Sequence, residues 1–351
     1  MLGLVGLSAV AAPAWAHVQA HVRHHRRHHP RAGRTFYVSA SGNDQASGRS
    51  ANHAWRDVDQ VDRAHLRPGD MVLFHGGETF ADDTLMPGWG FGVSGAPGDP
   101  ITFGSYGGSR ALLPNGVWLG TSAEHPHGPS HLRFQDLALG PVEGFQGTGD
   151  YITVRGMTIG GLLPGSRSEV GVIAEGSHWV VSDNRIDRTG DSGMLLGPSA
   201  GYPGAPPGGS HYLISHNTIV DTGLDPALTF GTHGIYDKVS DATIIDNTII
   251  GFRNDGVSAR YHGARVTGNY IAHGGIGIAW YQYDRQGGTI RFARNRILDT
   301  STVGIFVCGT AESCWRPHGH FVIANNDLTH AHGSILNLQP VLGHYTVYSN
   351  R

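Results

Sequence analysis

The feature that most constrains this chain is an internal repeat. A short apolar strand followed by Asn-x-Ile, or a near equivalent, recurs as VSDNRI, ISHNTI, IIDNTI, VTGNYI, FARNRI, IANNDL and finally VYSN. The asparagines are Asn184, Asn217, Asn247, Asn269, Asn295, Asn326 and Asn350, and the earlier units FQDLAL and VRGMTI put Leu137 and Met157 at the same position. Each unit continues into a second strand that opens on a glycine: VGVIAE, SGMLLG, HGIYDK, DGVSAR, IGIAWY and VGIFVC. The shortest spacing, Asn247 to Asn269, is 22 residues. That length holds two or three short strands with their bends and is too short for a strand–helix–strand crossover. Asparagine at one position of every repeat suits a ladder in which each side-chain amide bonds the one above and the one below. An Asn that favours its own turn by local bonding fits the same fold. The expected class is all-β, a right-handed single-stranded parallel β-helix.

Composition agrees. Glycine fills 53 of the 351 positions and charged residues make up only 15%. That is too much glycine for a helical protein, with too many apolar strand formers for disorder and no Gly-X-Y period.

Residues 1–16, MLGLVGLSAVAAPAWA, read as a signal peptide ending on a small-residue cleavage site. The apolar run is shorter than the roughly 20 residues of a membrane span. Residues 17–34, rich in His and Arg and free of acids, read as a basic linker rather than a metal tract. Beyond them, residues 35–351 carry more acids than bases, so nucleic acid is not an expected partner. The expectation is a monomeric domain with no membrane partner, secreted to the extracellular space or the periplasm. In that setting Cys308 and Cys314 suit a local disulfide, and they make a poor metal site alone.

Strands are expected at 35–39, 71–74, 101–106 and 117–119. Between the first two, Trp55, Val58, Val61 and Leu66 recur at helical spacing, predicting a short N-terminal helix that caps the open end of the stack. The stretches FYVSASGND, LRPGDMVLFHGGETF and GAPGDPITFGSYGG resemble the N-terminal coils of the pectate-lyase-like β-helix superfamily. The likeness runs over almost everything after residue 34. It implies fold more than function, since that fold carries lyases, hydrolases, epimerases and non-enzymes.

Insertions into the repeat fall at 162–169, 198–210, 223–232, 282–288 and 309–319, all flanking the Gly-apolar strand. Loops gathered about one face of a repeat array mark its binding face. Aligned on the repeated glycine, one outward row reads Glu175, Gly197, Lys238, Arg260, Tyr281, Cys308. A second holds Ile173, Leu195, Tyr236, Ser258, Ala279 and Phe306, with His233 and Asp255 to one side. Lys238 is the only lysine in the chain. Beside an arginine that cannot give up its proton, a lysine is the group that does, which makes it a candidate general base. Abstraction of the proton α to a uronate carboxylate needs such a base, a cation for the developing charge, and an acid for the leaving oxygen. Lys238 and Arg260 meet the first two needs, and Tyr281, Tyr236 or His233 can supply the proton. Tyr236, Glu175, Asp255 and His262 are the candidate substrate contacts.

DGVSARYHGARVTGNYI is similar to the coil bearing the Arg-His-Gly motif of β-helix alginate lyases and chondroitinase-B-like lyases. That resemblance implies Lys238 as base and Arg260 as acid. Two departures stand out: Tyr261 is inserted between the arginine and His262-Gly263, and the acids that hold calcium in that family are replaced around Gly231 and His233. No cofactor is therefore expected, with calcium the one open candidate and Arg260 or His233 in its place. The implied activity is β-elimination on an anionic, uronate-containing polysaccharide. A C5 epimerase, a non-catalytic carbohydrate-binding or surface β-helix and a glycoside hydrolase are the alternatives. The last needs two carboxyls facing across the groove, whereas Asp82-Asp83 lies in an early loop.

Overall fold

Alternation of buried and exposed residues along strands of three to six residues gives each coil a lining of one or two apolar side chains per strand, and stacking coils joins the linings into a core. A computed structural model describes residues 33–89, 92–121, 126–198, 207–283, 286–308 and 318–351. Their strands are all parallel in the two sheets they form, one of 12 and one of 16 strands. The smaller sheet is one face of the helix. The larger bends round a corner to supply two more: one led by the ladder asparagines, the other by the repeated glycines.

Register shows how the core is filled. On the first face Val181, Ile214, Ile244, Val266, Phe292 and Ile323 stack in successive pairs. On the second Ile159, Ile186, Ile219, Ile249, Ile271 and Ile297 do the same. On the third the column is Val172, Met194, Ile235, Val257, Ile278 and Ile305. All are essentially removed from solvent. Each such side chain contributes about 1.5–3 kcal/mol on burial.

The asparagines form the ladder. Asn184 Nδ2 donates to Asn217 Oδ1 at 2.9 Å, and the pattern repeats through Asn247, Asn269, Asn295 and Asn326 to Asn350 at 2.8–3.0 Å. Each Oδ1 also accepts the backbone N–H of the asparagine one coil earlier. The second amide hydrogen reaches a strand carbonyl, as from Asn184 to Val154. The amides are therefore spent on holding coil to coil, not on their own turns. One residue before each asparagine turns the chain: Asp183, His216, Asp246, Gly268, Arg294, Asn325 and Ser349 all have φ between 52° and 70°. Only one of these is glycine. The left-handed conformation costs an L-residue on the order of 1 kcal/mol, and the ladder bonds offset it.

The early strands fall at Thr35–Val38, Met71–His75, Ile101–Tyr106 and Val117–Leu119, close to expectation. The α-helix among the described residues is short, Val58–Asp62, with Val58 and Val61 buried. Trp55 lies outside it, bridging to Val38 and stacking on Phe36 at 4.6 Å, and Leu66 follows its end. The helical spacing of those two residues therefore reflects a loop that folds back on the first strand. Arg34, read as the last linker residue, belongs with the body: its backbone N–H and its guanidinium both donate to Asp70. Residues 1–32, and with them the expected signal peptide and most of the linker, lie outside the described residues. Among the described residues no helix is long and apolar enough to cross a membrane.

Removing one ladder amide strands buried partners on both sides. Asn247→Ala should cost about 3–5 kcal/mol, because several buried hydrogen bonds go at once. Asn350→Ala, at a half-buried end of the ladder, should cost about 1 kcal/mol. Urea unfolding of the two variants checks the gradient, and equal losses would mean the ladder does not carry the stack.

Candidate functional site

The outward row expected from the repeat is built by strand pairing. His233, Tyr236 and Asp237 pair with Asp255, Ser258 and Ala259, and Ala259 pairs with Trp280. Lys238, Arg260 and Tyr281, each the next residue along, thus stand on three consecutive coils, about 4.8 Å apart. The preceding residue on each strand points into the core.

Around Lys238 and Arg260 the third face closes into a cage of tyrosines. Lys238 Nζ lies 4.3 Å from the Tyr236 ring centroid and donates to the Pro198 carbonyl at 3.2 Å. The Arg260 guanidinium lies 4.8 Å from Tyr236, 4.4 Å from Tyr281 and 5.4 Å from Tyr283. Tyr236 and Tyr283 hydroxyls meet at 3.4 Å. Rings over a cation stabilise it by about 0.5–2 kcal/mol each, more as water is excluded. Here both cations are only 4% exposed.

Burial and like charge then separate the two. Desolvation, with Arg260 adding to it and Asp191 opposing, lowers the Lys238 pKa to about 8. An arginine side chain cannot answer in the same way by losing its proton. The position of Arg260 is fixed from below: Nη1 donates to Ser258 Oγ at 2.8 Å, and Ser258 Oγ donates to Asp255 Oδ2 at 2.6 Å. Burial pushes Asp255 up to about 6, against the pull of Ser258 and Arg260. Arg260 Nε is buried with no hydrogen-bond partner.

Tyr236 and Tyr281 hold their protons. Burial pushes Tyr236 up to about 12, and burial together with Asp255 raises Tyr281 despite Arg260. His233 is 3% exposed and packs edge-on to Tyr236 at 4.5 Å between centroids. Burial, then Arg260 and Lys238, hold its pKa well below the ordinary value, so it is neutral. Its Nδ1 accepts the Asp255 backbone N–H at 3.3 Å, and Nε2 is enclosed without a partner. His233 therefore belongs beneath the site, behind Tyr236.

The other expected contacts are more dispersed. Glu175 is on the same outward row, two coils from Lys238, with Oε2 accepting from Thr148 Oγ1 at 3.1 Å. His262 sits in the turn after Arg260, its carbonyl accepting the Asp241 N–H at 3.0 Å. Asp237 points inward, fully buried, and burial pushes it up to about 7. Cys308 pairs in register with Tyr281, while Cys314 and hence the disulfide lie outside the described residues. Among the described residues no three His, Cys, Asp or Glu side chains are grouped as a metal ion needs.

Two participants escaped the sequence reading. Tyr283 lies just past the strand Tyr270–Tyr281, in an insertion that no repeat position governs. Asp191 lies two residues before a repeated glycine, at the corner leading into the strand Met194–Leu196. The position of Tyr283, two residues beyond Tyr281 at the start of that insertion, was the available signal for the first.

Neither a scan of protein-family models nor a search of curated proteins found a match. Solved structures do match. XylC in complex with xylose superposes with a TM-score of 0.56 at 13% identity, over 89% of this chain and 68% of that one. Pectate lyase Pel9A gives 0.54 at 14% identity, over 91% and 80%. A structure described as a glycoside hydrolase gives 0.52 at 10%, over 91% and 96%. At such identities the likeness is one of fold, and the structural neighbours include both polysaccharide lyases and glycoside hydrolases. The chain has the pectate-lyase-like parallel β-helix fold.

Proposed function

We propose that the protein is an exported polysaccharide lyase that cleaves a uronate-containing polymer by β-elimination. The observation that carries this reading is Lys238: a lysine with its pKa lowered to about 8, one coil from an arginine, beside the Tyr236 and Tyr281 rings. Lys238, neutral, takes the proton α to the substrate carboxylate. Arg260 stabilises the negative charge that develops there. The electron pair moves to form a carbon–carbon double bond as the bond to the glycosidic oxygen breaks, and Tyr281 supplies a proton to that oxygen. The carboxylate replaces the Pro198 carbonyl as the neighbour of Lys238 Nζ. His233 and Asp255 act through Ser258 and Tyr236, as supports. The helix Val58–Asp62, beside the first strands, covers the first coil, and residues 1–16 direct export.

A second reading has its own observation. Asp191 and Glu169 both have raised pKa values, from burial first and then from neighbouring carboxylates. A carboxyl group of raised proton affinity near Lys238 suits the general acid of a glycoside hydrolase. The product separates the two: elimination leaves an unsaturated, ultraviolet-absorbing sugar, and hydrolysis leaves new reducing ends without it.

Incubated with uronate polymers, the wild-type protein should generate that absorbance. Lys238→Ala should lower kcat by about 10²–10⁴-fold, the usual worth of a positioned base. Lys238→Arg should be equally inactive despite keeping the charge. Activity retained by Lys238→Arg would remove lysine from the role of base. A carbohydrate-binding protein without turnover would bind the polymers and release nothing.

The rate should also depend on pH with a definite sign. The base works deprotonated, so kcat/KM should rise about tenfold per pH unit below pH 8 and level off above it, tracking the lowered Lys238 pKa. A rate that falls across the same range would point to a group required in its protonated form.

A further inference from the structure

Arg260 rests on a hydroxyl whose own bond depends on the state of a buried acid. Asp255 and Ser258 lie on the strand Thr248–Ala259, Arg260 just past it, and all three are buried. Ser258 Oγ links them, accepting from Arg260 Nη1 at 2.8 Å and donating to Asp255 Oδ2 at 2.6 Å. A guanidinium offers only donors and a serine has one hydrogen, so the hydrogen of Ser258 goes to the carboxyl. An ionised acceptor makes such a bond about twice as strong as a neutral one, and it gives Arg260 a counter-charge. A proton on Asp255 removes that charge, and on Oδ2 it competes for Ser258 Oγ. Arg260 Nη1 also donates to the Ala259 carbonyl, at a longer 3.3 Å, and Nε has no hydrogen-bond partner.

We propose that Asp255 is a positioning residue that holds Arg260 in the row, through Ser258, only while it is ionised, so that turnover needs a second deprotonation besides that of Lys238. This rests on the reading of Lys238 as base and Arg260 as stabilising cation. Burial pushes Asp255 up to about 6, so its change of charge falls close to neutral pH instead of in the usual carboxylate range. Arg260 is the cation that opposes this rise. His233, on the preceding coil, brings Nδ1 within 3.3 Å of Asp255 Oδ2, but burial, Arg260 and Lys238 hold it neutral. On the following coil the register partner of Asp255 is the apolar Ile276, and Tyr281 beyond it keeps its proton. As the pH falls through about 6, Asp255 takes up a proton and the hold on Arg260 weakens.

The pH profile on a uronate polymer tests this. Wild-type kcat/KM should fall about tenfold per pH unit from about 8 to about 6, and about a hundredfold per unit below that, where two protons are taken up. Asp255→Asn keeps an acceptor for Ser258 and drops the charge. It should lower the plateau about tenfold and continue at about tenfold per unit into the acid range. Ser258→Ala, which keeps the carboxyl and cuts the link, should lose the steeper limb as well. Arginine side-chain NMR reads Arg260 without turnover: its Nε–H resonance should shift with a midpoint near pH 6 in the wild-type and Lys238→Ala proteins and stay still in Asp255→Asn. A single slope through the acid range in the wild-type protein, a steeper limb that survives Asp255→Asn or Ser258→Ala, or an Arg260 resonance indifferent to pH would overturn the inference. Absence of unsaturated product beside a titrating Arg260 resonance would sink the lyase reading alone.

Discussion

Everything in this structure depends on coils being held in register, and the asparagine ladder is the interaction that fixes it. Apolar columns can slide by a residue at modest cost, since isoleucine stacks on isoleucine in more than one way. A buried amide whose oxygen must meet two donors and whose nitrogen must meet two acceptors cannot. Once Asn184 to Asn350 are aligned, a residue far along one coil has a determined neighbour on the next. Lys238, Arg260 and Tyr281 face each other because the ladder counts residues for them.

That dependence explains how much could be read from the sequence. The ladder and the glycine-led strands follow from period and alternation, and the row of Lys238, Arg260 and Tyr281 follows from them. Tyr283 and Asp191 do not, because insertions and corners are placed by packing rather than by period. His233 was legible as a neighbour of Asp255 but not as a buried residue; its enclosure depends on where the Tyr236 ring lies. The spacing of Trp55 to Leu66 suggested a longer helix than Val58–Asp62, since a fold-back loop that buries Trp55 against Phe36 shows the same apolar intervals.

The chemistry of the site comes from an inequality between two cations in one desolvated place. Tyrosine rings favour both, and burial disfavours both, but only the lysine can respond by losing a proton. The arrangement therefore holds, within one coil of each other, a lysine that can serve as a base near pH 8 and a permanent positive charge. Ser258 and Asp255 keep the arginine from moving away from the lysine, and the neutral His233 adds bulk without adding a third charge.

One feature of the backbone bears on how such a face can change over evolutionary time. Thr248–Ala259, Tyr270–Tyr281 and Arg296–Cys308 run from the asparagine-led face to the glycine-led face as single strands, paired almost throughout. In the preceding coils the corner is broken, and residues 223–232 leave the stack there. Where the strand is continuous, an insertion at the corner would cut paired backbone on both sides and carry a cost that a surface loop does not. New sequence on those coils is thus admitted at one edge, beyond Tyr281 and Cys308, while the edge near Asp255 is held closed by paired backbone. Loop growth on these coils is one-sided because a single strand spans their corner.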